Sequence, residues 1–149
     1  MHAHEQNLTF INAKHVASLM HVHIALARAI LNDRDAKMKT GSFANEIVYH
    51  MYPTHSIKES FEKYGVKNAE RAVFVLIFGV NQNKRLIDEL KSRVSEALEG
   101  EKEIGDLSRH VEYQDIDKIG KMFDIKDVEK KHENGFLNTI YSKLALKNI

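Results

Sequence analysis

Two lysines bracket a short polar turn in the stretch Lys37-Met38-Lys39-Thr40-Gly41-Ser42. Ammonium groups on such a turn can grip phosphates, while Thr40 and backbone amides add hydrogen bonds, the contacts that position a nucleic-acid backbone. Further on, Val66 and Lys67 follow Gly65 at an expected helix end. An exposed aliphatic beside a cation suits the tail of a single strand, held by stacking on apolar or flat side chains and by local positive charge. A plainer reading stands beside each. Lysine pairs in loops are commonly just solvated, and Val66 and Lys67 fit an ordinary glycine-stopped helix.

Other chemistries lack a constellation. The nine histidines invite a metal site. His21 and His23, however, are two residues apart and fall on nearly opposite sides of a helix, whereas a zinc pair on one face needs i, i+4. His2 and His4 lie at the terminus. No metal and no cofactor are expected. There is no GxxxxGK[ST] or GxGxxG cradle for phosphates and no G-x-S-x-G elbow. No nucleophile with a nearby base stands out, and Glu46 reads as the opening residue of a strand rather than a catalytic acid. A binding protein is therefore expected. The alternatives are a small α/β enzyme with an unrecognised active site and a binding module for another protein partner.

The 149 residues include 22 Lys plus Arg and 21 Asp plus Glu, so the formal charge is 22 − 21 = +1. A charge so close to zero gives no global pull toward nucleic acid, so any RNA contact must be local. Hydrophobic residues are 43% and charged residues 29%, the balance of a globular chain. Cysteine is absent, which excludes disulfides and thiol catalysis. No apolar run reaches the ~18–20 residues of a membrane span, and Met1 to Gln6 lack the pattern of a signal peptide. One proline, at Pro53, and evenly mixed charge leave no visible linker, so a single domain over residues 1–149 is expected.

These residues need elements to hold them. Asn12 reads as the cap of a first helix with Val16, Met20, His23, Ala27 and Ile30 at helical spacing, running to about Asn32 beneath a sheet. Glu46 to Tyr52 alternates like a strand and stops at Pro53. Ser56 and Glu59 form a capping box, and Gly65 suits a left-handed helix end. Val73 to Phe78 is an unbroken apolar run, the pattern of a strand covered on both faces. Buried fully, those six side chains would contribute on the order of 10 kcal/mol before entropy. Leu86, Leu90 and Val94 mark another helix, Arg109 to Tyr113 a short edge strand, Asp115 a capped helix, Lys126 to Asn134 a charged loop, and Phe136, Ile140 and Leu144 a last helix. The expected fold is α/β, a small mixed sheet whose buried central strand (about 73–80) is covered by helices. A partner interface needs apolar anchors. Phe136, Ile140 and Leu144 form one candidate set, Met20 and Leu31 another; core packing would explain either.

Three segments together resemble the TPRKB family, the small kinase-binding subunits of the KEOPS (EKC) complex. Lys37-Met-Lys-Thr40 followed by Phe43 and Glu46-Ile47 is similar to the family's loop-to-strand element. Pro53-x-x-Ser56-Ile-Lys-Glu59, continuing to Lys63-Tyr-Gly65-Val66, is similar to its capped helix. Val73 to Phe78 is similar to its buried strand at the expected distance. Weaker similarity extends from Leu8 to Leu31 and on to the last helix. The family's usual N-terminal strand and helix have no counterpart beyond Met1 to Asn7, and Gly41 stands where relatives often carry a basic residue. The resemblance implies a non-catalytic subunit that binds and regulates the complex's small atypical kinase, of the PRPK type. It implies a role in threonylcarbamoyladenosine modification of tRNA, with the 3′ CCA end held by this subunit. Lys37, Lys39, Thr40, Val66 and Lys67 would then touch tRNA, and other KEOPS subunits would be met indirectly. No membrane is involved, and the expected location is the cytoplasm and the nucleus.

Overall fold

A computed structural model describes residues 7–67, 70–79, 81, 83–97, 111–127 and 134–147. The described elements are strand β1 (Leu8–Asn12), a 3-10 turn (Ala13–His15), α1 (Leu19–Arg34), α2 (Phe43–His50), α3 (Ile57–Tyr64), β2 (Val73–Ile77), α4 (Lys84–Ala97), α5 (Ile116–Met122) and α6 (Gly135–Leu146). The strands form a two-stranded antiparallel sheet with Leu8 opposite Ile77, Phe10 opposite Val75 and Asn12 opposite Val73. Helices and a sheet in one core make the mixed α/β class expected from the sequence.

Several elements differ from the expectation. Asn12 does cap, but it caps the 3-10 turn, its side chain accepting from the Lys14 amide at 3.0 Å. Helix α1 starts later, at Ser18, whose hydroxyl accepts from the His21 amide. It packs chiefly on α2, and also on α6, rather than under the sheet. The expected strand at 46–52 is helix α2, started by Ser42, whose hydroxyl accepts from Asn45. The alternation misled because Glu46 through Met51 are all buried, and a helix covered all round shows no polar face. Strand β2 ends at Ile77, and only Phe74 in it is buried; the rest are half-buried. Among the described residues the sheet has two strands and no central one, and the apolar contribution of β2 is smaller than for a strand covered on both faces. Of the expected edge strand, Val111 to Tyr113 is a 3-10 turn; Arg109 and His110 lie outside the described residues. Most of the charged loop, residues 128–133, lies outside them too.

Capping chemistry is more legible. Ser56 accepts from the Glu59 amide at 3.2 Å, and Asp115 from the Lys118 amide at 3.0 Å. The box at Ser56 is completed by a relay: Thr54 donates its hydroxyl to Glu59 at 2.7 Å and accepts from the Ser56 amide at 3.1 Å. Gly65 is extended (φ −65°, ψ 148°), not left-handed. Its glycine is required by approach, since a Cβ there would lie 2.5 Å from the Phe61 carbonyl oxygen.

The core gathers Ile11, Val16, Ala25, Ile47, Met51, Tyr64, Phe123 and Ile140, all essentially without exposure. Helix α1 leaves this core through a strained corner. The Lys37 amide donates back to Asn32 and the Ala36 amide to Asp33, with Ala36 at φ 55°. This is the left-handed helix stop that glycine fills without a Cβ penalty. Ala36→Gly is expected to raise stability by about 1 kcal/mol, the left-handed strain relieved minus the extra freedom of an unfolded glycine. The urea midpoint measures it, and a lowered midpoint would contradict the strain.

Candidate functional site

The Lys37–Thr40 turn joins α1 to α2 and is fastened from beneath by one carboxylate. Glu46, in the first turn of α2, has 0% exposure. Its oxygens accept from the Lys39 amide at 3.0 Å, the Thr40 amide at 2.9 Å and the Thr40 hydroxyl at 2.8 Å. From the other side they accept from Asn32 Nδ2 of α1 at 3.1 Å and face His50 Nε2 at 3.0 Å. Burial alone would raise the Glu46 pKa, but the bonds from Asn32, Thr40 and the two turn amides outweigh it and hold the carboxyl below its ordinary value. Glu46 is therefore charged. A carboxylate only accepts, so His50 carries its proton on Nε2. Burial and the charge of Lys147 push His50 down to about 4, so it is neutral at physiological pH despite Glu46.

This geometry reassigns the sequence-derived site residues. Lys37 and Lys39 are exposed, while Met38 between them and Thr40 after them are half-buried. Thr40 is turned inward. Its hydroxyl and amide, with the Lys39 amide, are directed at Glu46, so the donors expected to meet a phosphate are engaged within the chain. Thr40 is a strut beneath the lysines. Val66, 43% exposed, and Lys67 lie on the separate connection between α3 and β2.

The two apolar sets also separate. Ile140 and Leu144 lie in the core, and Phe136 is packed against it. Ile140 and Leu144 present no surface to a partner, because α6 uses them against its own chain. Met20, at 52% exposure, and Leu31 are instead open to solvent on α1, together with Leu19 and Ile30. Met20, Ile24, Ala27 and Leu31 recur at helical spacing along one stripe, with Ile24 half-buried and Ala27 exposed.

The histidines are accounted for individually. His21 is wholly buried, accepts from the Ala17 amide through Nδ1 and donates from Nε2 to the Met51 carbonyl at 2.8 Å. Burial lowers it to about 4, and it packs edge-on against Tyr64 and Phe123. It is a satisfied core histidine. Among the described residues no group of His, Cys, Asp or Glu could hold a metal ion, and no helix is long and apolar enough to cross a membrane. A cleft of about 450 Å³ lined by Tyr52, Glu59, Phe123, Lys143 and Lys147 shares no residue with the lysine turn. Both of its lysines donate to backbone carbonyls, Lys143 to Phe123 and Lys147 to Tyr52.

Glu46, Asn32 and His50 were not foreseen. A signal existed: Glu46 is a lone charge leading the apolar run Ile47-Val48-Tyr49, and a charge in that setting demands partners.

Comparison with known proteins adds a lineage to this geometry. The EKC/KEOPS complex subunit TPRKB of Danio rerio is 27% identical over 140 residues, covering 93% of this chain and 75% of the relative. The EKC/KEOPS complex subunit CGI121 of Candida albicans is 22% identical over 145 residues, covering 92% and 71%. Its counterpart from Candida glabrata is 25% identical over 144 residues, covering 94% and 79%. The family model described as kinase binding protein CGI-121 matches residues 2–148, and the chain belongs to that family.

Proposed function

We propose that this chain is a non-catalytic subunit of a KEOPS/EKC complex. It binds and regulates the complex's atypical kinase, of the PRPK type, and helps hold the 3′ CCA end of tRNA during threonylcarbamoyladenosine modification. The observation that carries the reading is the match of nearly the whole chain to a kinase-binding family, on a fold that leaves an apolar stripe of α1 open. Met20 and Leu31, flanked by Leu19 and Ile30, are the anchors available to the kinase. Desolvating such a stripe against a partner supplies the central contact of a stable interface. Lys37 and Lys39 supply phosphate contacts, and Val66 with Lys67 a second, apolar and cationic contact for the tail.

Two measurements test the two halves. Co-purification of the folded chain with the kinase is expected, and Met20→Asp with Leu31→Asp is expected to abolish it while the unfolding midpoint stays near wild type. Loss of folding without loss of binding by the surviving fraction would count against the α1 face. For RNA, Lys37→Glu with Lys39→Glu is expected to weaken tRNA binding by about tenfold, through lost phosphate contacts, with folding intact. Equal affinity for tRNA with and without its CCA tail would contradict the docking half.

A further inference from the structure

We propose that Glu46 is the positioning residue for RNA docking: its buried negative charge sets the Lys37–Thr40 turn in the shape that presents both lysines outward. This inference rests on the RNA-docking reading above. Five donors converge on the one carboxylate, two amides and a hydroxyl from the turn, the Asn32 amide from α1 and the His50 ring from α2. The turn is thereby tied to both helices that it joins. Glu46 itself stands on a rigid base, since α2 is capped by Ser42 and buried from Glu46 to Met51.

The pattern of exposure follows from that fastening. Drawing the Lys39 and Thr40 amides inward leaves the side chains of Lys37 and Lys39 exposed and those of Met38 and Thr40 half-buried. A turn already ordered binds more tightly than one that must be ordered by its ligand, because little conformational freedom is lost on binding.

Two effects of Glu46 on RNA have opposite signs, and this makes the inference sharp. By Coulomb's law alone, a carboxylate beneath two lysines repels phosphate, so its neutralisation should strengthen binding. Positioning predicts weakening. The carboxylate is buried and met by five donors, which blunts its field at the surface, so positioning should dominate.

The test uses the full chain with intact tRNA and with tRNA lacking its CCA tail. Glu46→Gln is expected to bind intact tRNA about tenfold more weakly, as loss of turn order implies, and to lose its preference for the CCA tail. Kinase co-purification should be unchanged. Thr40→Val, which removes one donor to Glu46, is expected to weaken tRNA binding about threefold, and Thr40→Ser to restore it. Equal or tighter binding by Glu46→Gln overturns the inference. If Glu46→Gln does not fold, equal affinities of Thr40→Val and Thr40→Ser overturn it. Failure of the parent reading looks different: Lys37→Glu with Lys39→Glu would then leave tRNA affinity untouched. A loss in that lysine variant without a loss in Glu46→Gln removes only the positioning role.

Discussion

Glu46→Ala is expected to lower the unfolding free energy at neutral pH by about 3 kcal/mol, seen as a lower urea midpoint at unchanged slope. The substitution leaves five donors facing a gap. The Lys39 and Thr40 amides are near enough to the surface to take water as a partner. Asn32 and His50 are less able to, His50 being 3% exposed. That division places the effect near the lower end of what breaking a buried charged network costs. The pH dependence has a defined sign. The Glu46 carboxyl lies below its ordinary value of 4.5 in the folded chain because its hydrogen bonds outweigh its burial. Its stabilisation is therefore fully present above about 4.5, the unfolded value, and is lost as pH falls through the lowered folded value. His21, held to about 4, titrates in wild type and variant alike, but His50 is pulled upward by Glu46 and would fall further without it, so both curves are taken in a His50→Gln background. The difference between the two stability curves isolates Glu46, and it should shrink on acidification. Curves that stay parallel to pH 3 would show that the folded carboxyl is not held low.

The turn and the site differ in how far the sequence discloses them, and the reason is physical. Local rules survive: Ser56 and Asp115 cap because a hydroxyl or carboxylate three residues before a free amide needs no tertiary partner to reach it. Long-range rules do not. Strand β1 was invisible because Thr9 and Asn12 are its buried polar residues while Phe10 faces out, which inverts the usual alternation. Thr9 tolerates burial because its hydroxyl donates to the Ala44 carbonyl at 3.3 Å, a partner 35 residues away. Helix α2 was misread for the same class of reason. Its burial on every side is decided by α1, α3 and β1, not by its own eight residues. In the site, Lys37 and Lys39 were identifiable as charges on a polar turn. Glu46 was assigned to a strand, and so could not be seen as the residue that fastens the turn, 7 positions after Lys39 and 6 after Thr40. Thr40 shows the same failure at smaller scale. Its hydroxyl reads as a donor for a phosphate, and in the folded chain it meets the internal carboxylate of Glu46. The apolar stripe of α6 was correctly read as helical, yet helical spacing does not distinguish a face turned to the core from one turned to a partner. Only burial separates Ile140 from Met20.

Lys147, just past the end of α6, gives the second large effect. The residue is 4% exposed, its amine donates to the carbonyls of Tyr49 and Tyr52, and it sits 3.5 Å above the Tyr49 ring. Burial pushes its pKa down from 10.5 to about 7, against the weaker opposing pull of Glu46. Between those two values the unfolded chain takes a proton that the folded chain refuses, so the contribution of Lys147 to stability rises with pH through that window. Relative to Lys147→Met, wild type should gain about 3 kcal/mol between pH 7 and pH 10. The tyrosines titrate similarly in both proteins and drop out of the difference. Deprotonation need not cost hydrogen bonds, because a neutral amine keeps two N–H groups for two carbonyls. What it forfeits is the attraction of a cation for the ring and for the carbonyl end of α2, which favours the charged form. A difference that stays flat to pH 10 would show that these attractions outweigh burial and that Lys147 remains protonated. Either outcome bears on α2 as a whole, since that helix is gripped at its start through Glu46 and at its end through Lys147. A change in the charge of the second grip should therefore alter the stability of the helix that carries the first.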